Sequence, residues 1–316
     1  MNKKIAIVGA GISGLSRAYL LSGKNYDITV FAKAFSPDIT SNRAVAFWFP
    51  YHIRNDKRGI EWCRKSYAFY KKLSSDASTG ISMKQLIKVL REGVIEEEPV
   101  WIEFMPEGAC KVIPKEQLQP GIIKGYDVLV PLIETQIFLP YLHGLLQQRN
   151  ISFERKLIHD FNELSAFDII INCTALGARE LCADMSLIPV RGQVALIETN
   201  TDLPIYLDNE TPLYIVPRKD AMIVGGTYEE NVFEEATELK TIERILNNAY
   251  EVFPEFRQHK LIGSWAGLRP YRSEVRVEHE AGTNIIHNYG HGGSGFTLAF
   301  GCADEVRLLV EQINLV

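Results

Sequence analysis

The stretch Lys4–Leu21, KIAIVGAGISGLSRAYLL, decides the fold. Residues 4–8 form an apolar run that ends at glycine, the pattern of a short buried strand. Gly9, Ala10, Gly11, Ile12, Ser13 and Gly14 then make a GxGxxG turn. Beyond it Leu15, Tyr19 and Leu20 recur at helical spacing, and residues 28–32, ITVFA, form a second apolar strand. Strand, glycine turn, helix and strand compose a right-handed βαβ unit. In such a unit the first glycine makes the tight turn and the second lets backbone approach a pyrophosphate. The third allows close helix–strand packing, and the helix N-terminus faces the phosphates. The second strand usually ends in an acid that holds the ribose. Here that end reads Phe31-Ala32-Lys33-Ala34. Lys33 is either a phosphate partner, which would favour NADP, or a surface lysine. The loop alone does not separate FAD from NADP.

The chain has 316 residues, 46% hydrophobic and 23% charged, enough for a sizeable core and two domains. A formal charge of −5 with no basic block argues against nucleic acid. The five cysteines (Cys63, Cys110, Cys173, Cys182, Cys302) are odd in number and lack CxxC spacing. They indicate neither a disulfide framework nor a metal site, and they fit a reducing, cytoplasmic compartment. The opening lysines and apolar run resemble a signal peptide, but glycines at nucleotide-loop spacing interrupt the run, so it is expected to be mature fold. No segment approaches the ~18 uninterrupted apolar residues of a membrane span. The acidic triplet at 96–98 is expected to be a solvated turn before Pro99.

Further along, residues 60–73 predict an amphipathic helix whose Trp62, Phe69 and Leu73 face the core. Residues 136–149 predict another, with Thr135 as a possible cap. ISFERKLI (151–158) alternates like a strand, and AFDIIINCTA (166–175) is a buried one. Residues 188–228 predict an antiparallel sheet. A helix over 241–252 stops before Pro254, strand-like LIGSWAGLRP and VRVEHE follow, and a last helix starts near Phe296. The nucleotide-type elements thus lie at both ends and near 150–175, with antiparallel material between them. This implies an α/β protein: a discontinuous Rossmann-type dinucleotide domain (1–50, 140–186, 266–316) interleaved with an antiparallel-sheet α+β substrate domain (51–139, 187–265).

A second glycine turn, His291-Gly292-Gly293-Ser294-Gly295, lies almost a full chain length from the first. GLRPYRSEVRVE (267–278) followed by HNYGHGGSGFTLAFGCA (287–303) resembles the D-amino acid oxidase family, FAD enzymes that include D-aspartate oxidase and are related to glycine oxidases. FSPDITSNRAVAFWFPY (35–51), IINCTALGA (170–178), VRGQV (190–194) and YIVPR (214–218) match in the same order; residues 52–130 are only weakly similar. The resemblance explains the two turns. FAD is long, and its ADP end would lie on the first loop. Its isoalloxazine would lie on the second, where a helix N-terminus favours the negative charge of the reduced ring. It further implies Thr40, Ser41 and Thr174 near the pyrophosphate, Ala46 and Phe47 along the flavin through backbone, and Leu157 beside the adenine. Gly292, Gly293, Ser294, Gly295, Phe296 and Thr297 would wrap the isoalloxazine. Lys33 stands where the family commonly has its ribose acid.

For the substrate, the resemblance implies that Arg269 takes the carboxylate, with Tyr214 sharing it and the Gly293 carbonyl accepting from the amino group. A planar guanidinium suits this task, because it binds a carboxylate with two parallel bonds. The competing role for Arg269 is a structural ion pair, since Glu274 and Glu278 are near in sequence. Pinning Cα over the flavin N5 would suffice for hydride transfer, with no strong side-chain base, so His287 and His291 are expected to be structural. The segment before YIVPR is short, with Glu210 four residues ahead of Tyr214, so a lid is expected to be short or absent. Phe49 stands where several relatives carry glutamine, implying an apolar side-chain pocket and neutral D-amino acids rather than D-aspartate. The implied activity is oxidative deamination of a D-amino acid to a 2-oxo acid and ammonia, with O2 reduced to H2O2. Oxidation of glycine or N-methyl amino acids, a flavin dehydrogenase and a non-catalytic redox module are the alternatives. A homodimer is possible, and the C-terminal EQINLV lacks a Ser-Lys-Leu peroxisomal address.

Overall fold

The computed structural model describes residues 2–91 and 99–313; the acidic turn expected at 96–98 and the last three residues lie outside them. The first βαβ unit forms as expected: β1 (Lys3–Val8), α1 (Ile12–Leu21) and β2 (Tyr26–Ala32). Next come α2 (Lys57–Leu73), β3 (Ile81–Arg91), β4 (Cys110–Val112), β5 (Ile122–Ile133) and α3 (Thr135–Gln148). β6 (Ser152–Arg155), β7 (Ile169–Asn172) and the single turn α4 (Ala178–Leu181) follow. Then run β8 (Ile188–Ile197), β9 (Ile205–Asp208), β10 (Leu213–Pro217), β11 (Met222–Gly225) and β12 (Glu229–Glu230). The chain closes with α5 (Leu239–Val252), β13 (Leu261–His279), β14 (Ile285–His291) and α6 (Gly295–Ile313).

Among the described residues, all strands join one sheet in the order β4-β5-β3-β9-β10-β11-β8-β13-β14-β7-β1-β2-β6, with β12 added on β8. Its β14-β7-β1-β2-β6 end is wholly parallel. There Ile5, Ile7, Ile169 and Ile171 are fully buried, as strands covered on both faces require. The β9-β10-β11-β8-β13 stretch is antiparallel. The two sequence classes therefore meet edge to edge, and β13, paired with β8 and β14, is the seam. Single elements run through two of the expected domain limits: 139/140 falls within α3 and 265/266 within β13.

Some local expectations change. Thr135 does not cap α3; Glu134 occupies that position, and the Thr135 hydroxyl donates to the Asn42 carbonyl at 3.0 Å, tying α3 to the 40–43 turn. Only four residues of ISFERKLI pair, because β6 is an edge strand that ends where β2 ends. LIGSWAGLRP and VRVEHE are one strand, β13, whose register with β14 shifts between Tyr271 and Arg276. The aromatic stripe of α2 is core, as expected: Phe69 stacks on Phe300 with centroids 3.5 Å apart, and Gly301 lets α6 meet the Trp62 backbone.

Candidate active site

Both glycine turns open on one cavity of about 1010 Å³. At one end lie Gly9, Ala10, Gly11, Ile12 and Ser13, together with Lys33 and Leu157. Thr40, Ser41 and Thr174 follow, then Ala46, Phe47 and Phe49. At the far end lie Tyr214, Arg269, Gly292, Gly293, Gly295, Phe296 and Thr297. Gly14 and Ser294 do not line it. Gly14 instead sits against the Gly9 carbonyl, where an added Cβ would come within 1.8 Å, and the Ser294 hydroxyl donates to the Tyr51 carbonyl at 2.5 Å.

The wall at the first turn suits phosphates. Gly9 has φ of +116°, and any Cβ there would stand 2.4 Å from the Cys173 carbonyl, so only glycine fits. The α1 N-terminus opens onto the cavity, and Lys33, Lys156 and Arg43 add cationic side chains. Two hydroxyls are already engaged. Ser41 accepts the Ile12 N–H at 3.0 Å, leaving its own proton for a phosphate. Thr174 donates to Asn172 Oδ1 at 2.7 Å, so only its oxygen remains, which suits it poorly as a phosphate donor. Arg43 pairs with Glu235 at 2.8 Å and donates to the Ala266 carbonyl.

The second turn is pinned to the 47–51 segment. The Thr297 hydroxyl donates to the Phe49 carbonyl at 3.0 Å and lies 3.3 Å from its N–H. Ala46 adopts φ of +56°, and its carbonyl accepts from Ile133. These side-chain bonds hold the 47–51 segment beside the N-terminus of α6. The first-turn N–H groups of α6 therefore have a fixed aim, as a dinucleotide whose ring needs negative charge stabilised would require.

Arg269 and Tyr214 come together at this end. Tyr214 on β10 pairs with Gly225 on β11, and its ring lies flat over that glycine: a Cβ there would stand 2.1 Å from the ring. Arg269 leans back along β13 over Gly192 of β8, whose added Cβ would stand 2.3 Å from the guanidinium. Thus two glycines on neighbouring strands make room for the two polar side chains. The Arg269 guanidinium donates to the Thr227 carbonyl at 3.2 Å. Among the described residues no carboxylate pairs with it. Glu274 pairs with Arg54, Glu278 with Arg276, and Asp184 with Arg272. Burial pushes the Tyr214 phenol up against the opposing pull of Arg269, so it is neutral at physiological pH and able to donate. Gly293 stands beside Arg269, 3.3 Å from its Cδ measured from an added Cβ. Phe49 is buried and packs on Trp101 at 5.3 Å.

Sequence reasoning missed Gly192, Gly225, Tyr51, His52 and Tyr228. The last three ring the cavity mouth beside Arg269: Tyr51 and His52 lie 4.2 Å apart edge to face, and His52 and Tyr228 5.4 Å apart. Burial and the Arg269 charge both hold His52 below its usual pKa. The β9–β10 turn spans only residues 209–212, in keeping with the expected short lid. His287 lies off the cavity, bonded to Glu280 at 2.7 Å. His291 does line it, but burial, with Arg17, pushes it down to about 3, so it is neutral and no ready base.

The chain is 34% identical to a D-amino-acid oxidase of Rubrobacter xylanophilus, covering 97% of this chain and 95% of that one. It is 31% identical to a D-amino-acid oxidase of Dictyostelium discoideum, covering 98% and 91%. Its fold matches an L-proline dehydrogenase from P. horikoshii with a TM-score of 0.84 at 15% identity, over 98% of this chain and 94% of that one. The FAD dependent oxidoreductase model matches residues 4–308. With one cavity joining a phosphate-binding turn to a helix N-terminus and an arginine that has no carboxylate partner among the described residues, this chain belongs to the FAD-dependent oxidoreductase family.

Proposed function

We propose that this chain oxidises a D-amino acid at its α-carbon, giving an imino acid that hydrolyses to a 2-oxo acid and ammonia. Arg269 carries the proposal: it has no carboxylate partner among the described residues and reaches the cavity beside Tyr214 and the α6 N-terminus. A guanidinium with most of its donors unused is built for a carboxylate ligand. The Tyr214 hydroxyl adds a donor, and the Gly293 carbonyl is the nearby acceptor for the amino group. FAD, when bound, would take up the hydrogen and the electron pair lost from Cα. The residues therefore have only to bind, orient and keep water away, and none has to act as a strong base. Preference for the D form is supported by the D-amino-acid oxidases of Rubrobacter and Dictyostelium.

The buried Phe49–Trp101 pair favours neutral side chains. O2 as electron acceptor, yielding H2O2, belongs to the same proposal. So does the assignment of 1–50, 140–186 and 266–316 to FAD, and of 51–139 and 187–265 to substrate. The five free thiols favour a cytoplasmic location; a dimer would be seen by light scattering. The test is anaerobic: the yellow protein should bleach with D-alanine or D-proline, stay yellow with the L forms, and release peroxide in air. A yellow protein inert to amino acids of either hand overturns the proposal.

A further inference from the structure

Behind both glycine turns, α1 and α6 enclose a cation that the protein does not balance. The Arg17 side chain is wholly buried, at 0% exposure. Its Nη1 donates to the Ser13 carbonyl and the Ser16 hydroxyl, both at 2.8 Å, while Nε and Nη2 find no oxygen or nitrogen acceptor, the weakly accepting Cys302 thiol being the further polar group beside the guanidinium. Among the described residues no carboxylate lies within ion-pair distance of it. The ionisable groups that act on it are the Cys173 and Cys302 thiols and the Tyr70 phenol, and it acts in turn on His291. Burial drives each of these to its neutral form. Cys302 is pushed up to about 12, Cys173 and Tyr70 are raised, and His291 is pushed down to about 3. A guanidinium does not lose its proton in a protein. A full positive charge is therefore held in a low-dielectric interior with no compensation, which is costly.

What lies next to it supplies the missing charge. Ser13, Cys173 and His291 all line the cavity, so Arg17 sits one layer beneath its wall, between α1 and α6. The N-termini of both helices open on the same cavity and are themselves positive. We propose that Arg17 is a cofactor-binding residue acting through its field, whose counter-charge is the anionic dinucleotide itself. The inference rests on FAD occupying this cavity. It makes one demand that a packing role does not: removing the charge should weaken FAD binding yet leave the apoprotein as stable or more stable.

The test uses the full chain, with Arg17→Met removing the charge and Arg17→Lys keeping it. FAD affinity is titrated on apoprotein by flavin fluorescence, and apo and holo forms are unfolded in urea. Two unit charges about 12 Å apart at an effective dielectric of ~20 interact strongly enough for a roughly tenfold effect. Arg17→Met should thus raise the FAD dissociation constant roughly tenfold while the apoprotein midpoint holds or rises. Arg17→Lys should stay within about threefold of wild type by the same reasoning. Equal FAD affinity in Arg17→Met and wild type overturns the proposal. So does an equal loss in Arg17→Met and Arg17→Lys, which would point to shape, or an apoprotein weakened by Arg17→Met. If too little Arg17→Met is recovered to titrate, Arg17→Gln against Arg17→Lys reads the same contrast: equal affinities in that pair overturn it. Wild-type protein that takes up no FAD would instead refute the assignment of the cavity.

Discussion

Gly192→Ala tests the substrate anchor without touching it. The new Cβ would stand 2.3, 2.4 and 2.5 Å from three guanidinium atoms of Arg269. Ordinary contact begins at 3.4 Å, so the guanidinium must retreat by about 1.1 Å. It is the far end of a flexible side chain, so the fold should lose little, on the order of 1 kcal/mol or less. Function should lose far more. Misalignment forfeits one of two charge-assisted bonds to the carboxylate, about 1.5–3 kcal/mol, and a misplacement of ~1 Å can alone cost about 100-fold. We expect kcat/KM for the preferred D-amino acid to fall roughly 100-fold, with FAD content and melting temperature near wild type. Steady-state peroxide release, the ratio of flavin to protein absorbance and a thermal melt read these quantities. Unchanged kcat and KM in a variant confirmed to carry alanine would refute the idea that Arg269, held over Gly192, aims the substrate.

Three further outcomes follow from the same geometry. Tyr214→Phe deletes one donor and keeps the ring over Gly225, so KM should rise by about 3- to 10-fold with kcat little changed, as for one ordinary hydrogen bond; a collapse of kcat would give Tyr214 a larger role. Phe49→Gln should shift the ratio of kcat/KM toward polar side chains, because it replaces a buried ring against Trp101 with an amide; an unchanged substrate profile would remove Phe49 from the pocket. His291 is held down to about 3 mainly by burial, whereas in the unfolded chain it titrates near ~6.5. The unfolded state therefore binds the extra proton, and native stability is lost as pH falls from about 6.5 toward 3, by about 1.4 kcal/mol per pH unit for each such group. His52, His143 and His287 are lowered too and add with the same sign. Urea unfolding at stepped pH should be less steep in His291→Gln; an identical slope would show that His291 does not stay neutral.

Why some of the site was legible and some was not follows from where each residue's role originates. Gly9–Gly14 act through the backbone of one continuous segment, so spacing exposes them. The roles of His291–Gly295 and Arg269 come from the resemblance of their sequence stretches to the D-amino acid oxidase family. Gly192 and Gly225 have no chemistry of their own, and their role is the space they leave for a side chain on the next strand. That role exists only once β13 pairs with β8 so that Gly192 faces Gly267, and β10 pairs with β11 so that Tyr214 faces Gly225. Arg17 was hidden for a different reason. Helical periodicity assumes one buried face, and on that assumption Leu15, Tyr19 and Leu20 mark the inner side of α1. The helix is in fact covered on more than one side, because α6 packs close enough for Ser16 to reach the Ala299 carbonyl at 3.4 Å. Ser16, Arg17 and Ala18 are buried, while Tyr19 and Leu20 are only partly so. A charged residue on a helix enclosed in this way cannot be read as a solvated face. Its presence requires a compensating charge, and the nearest place for one is the cavity that the two helices share.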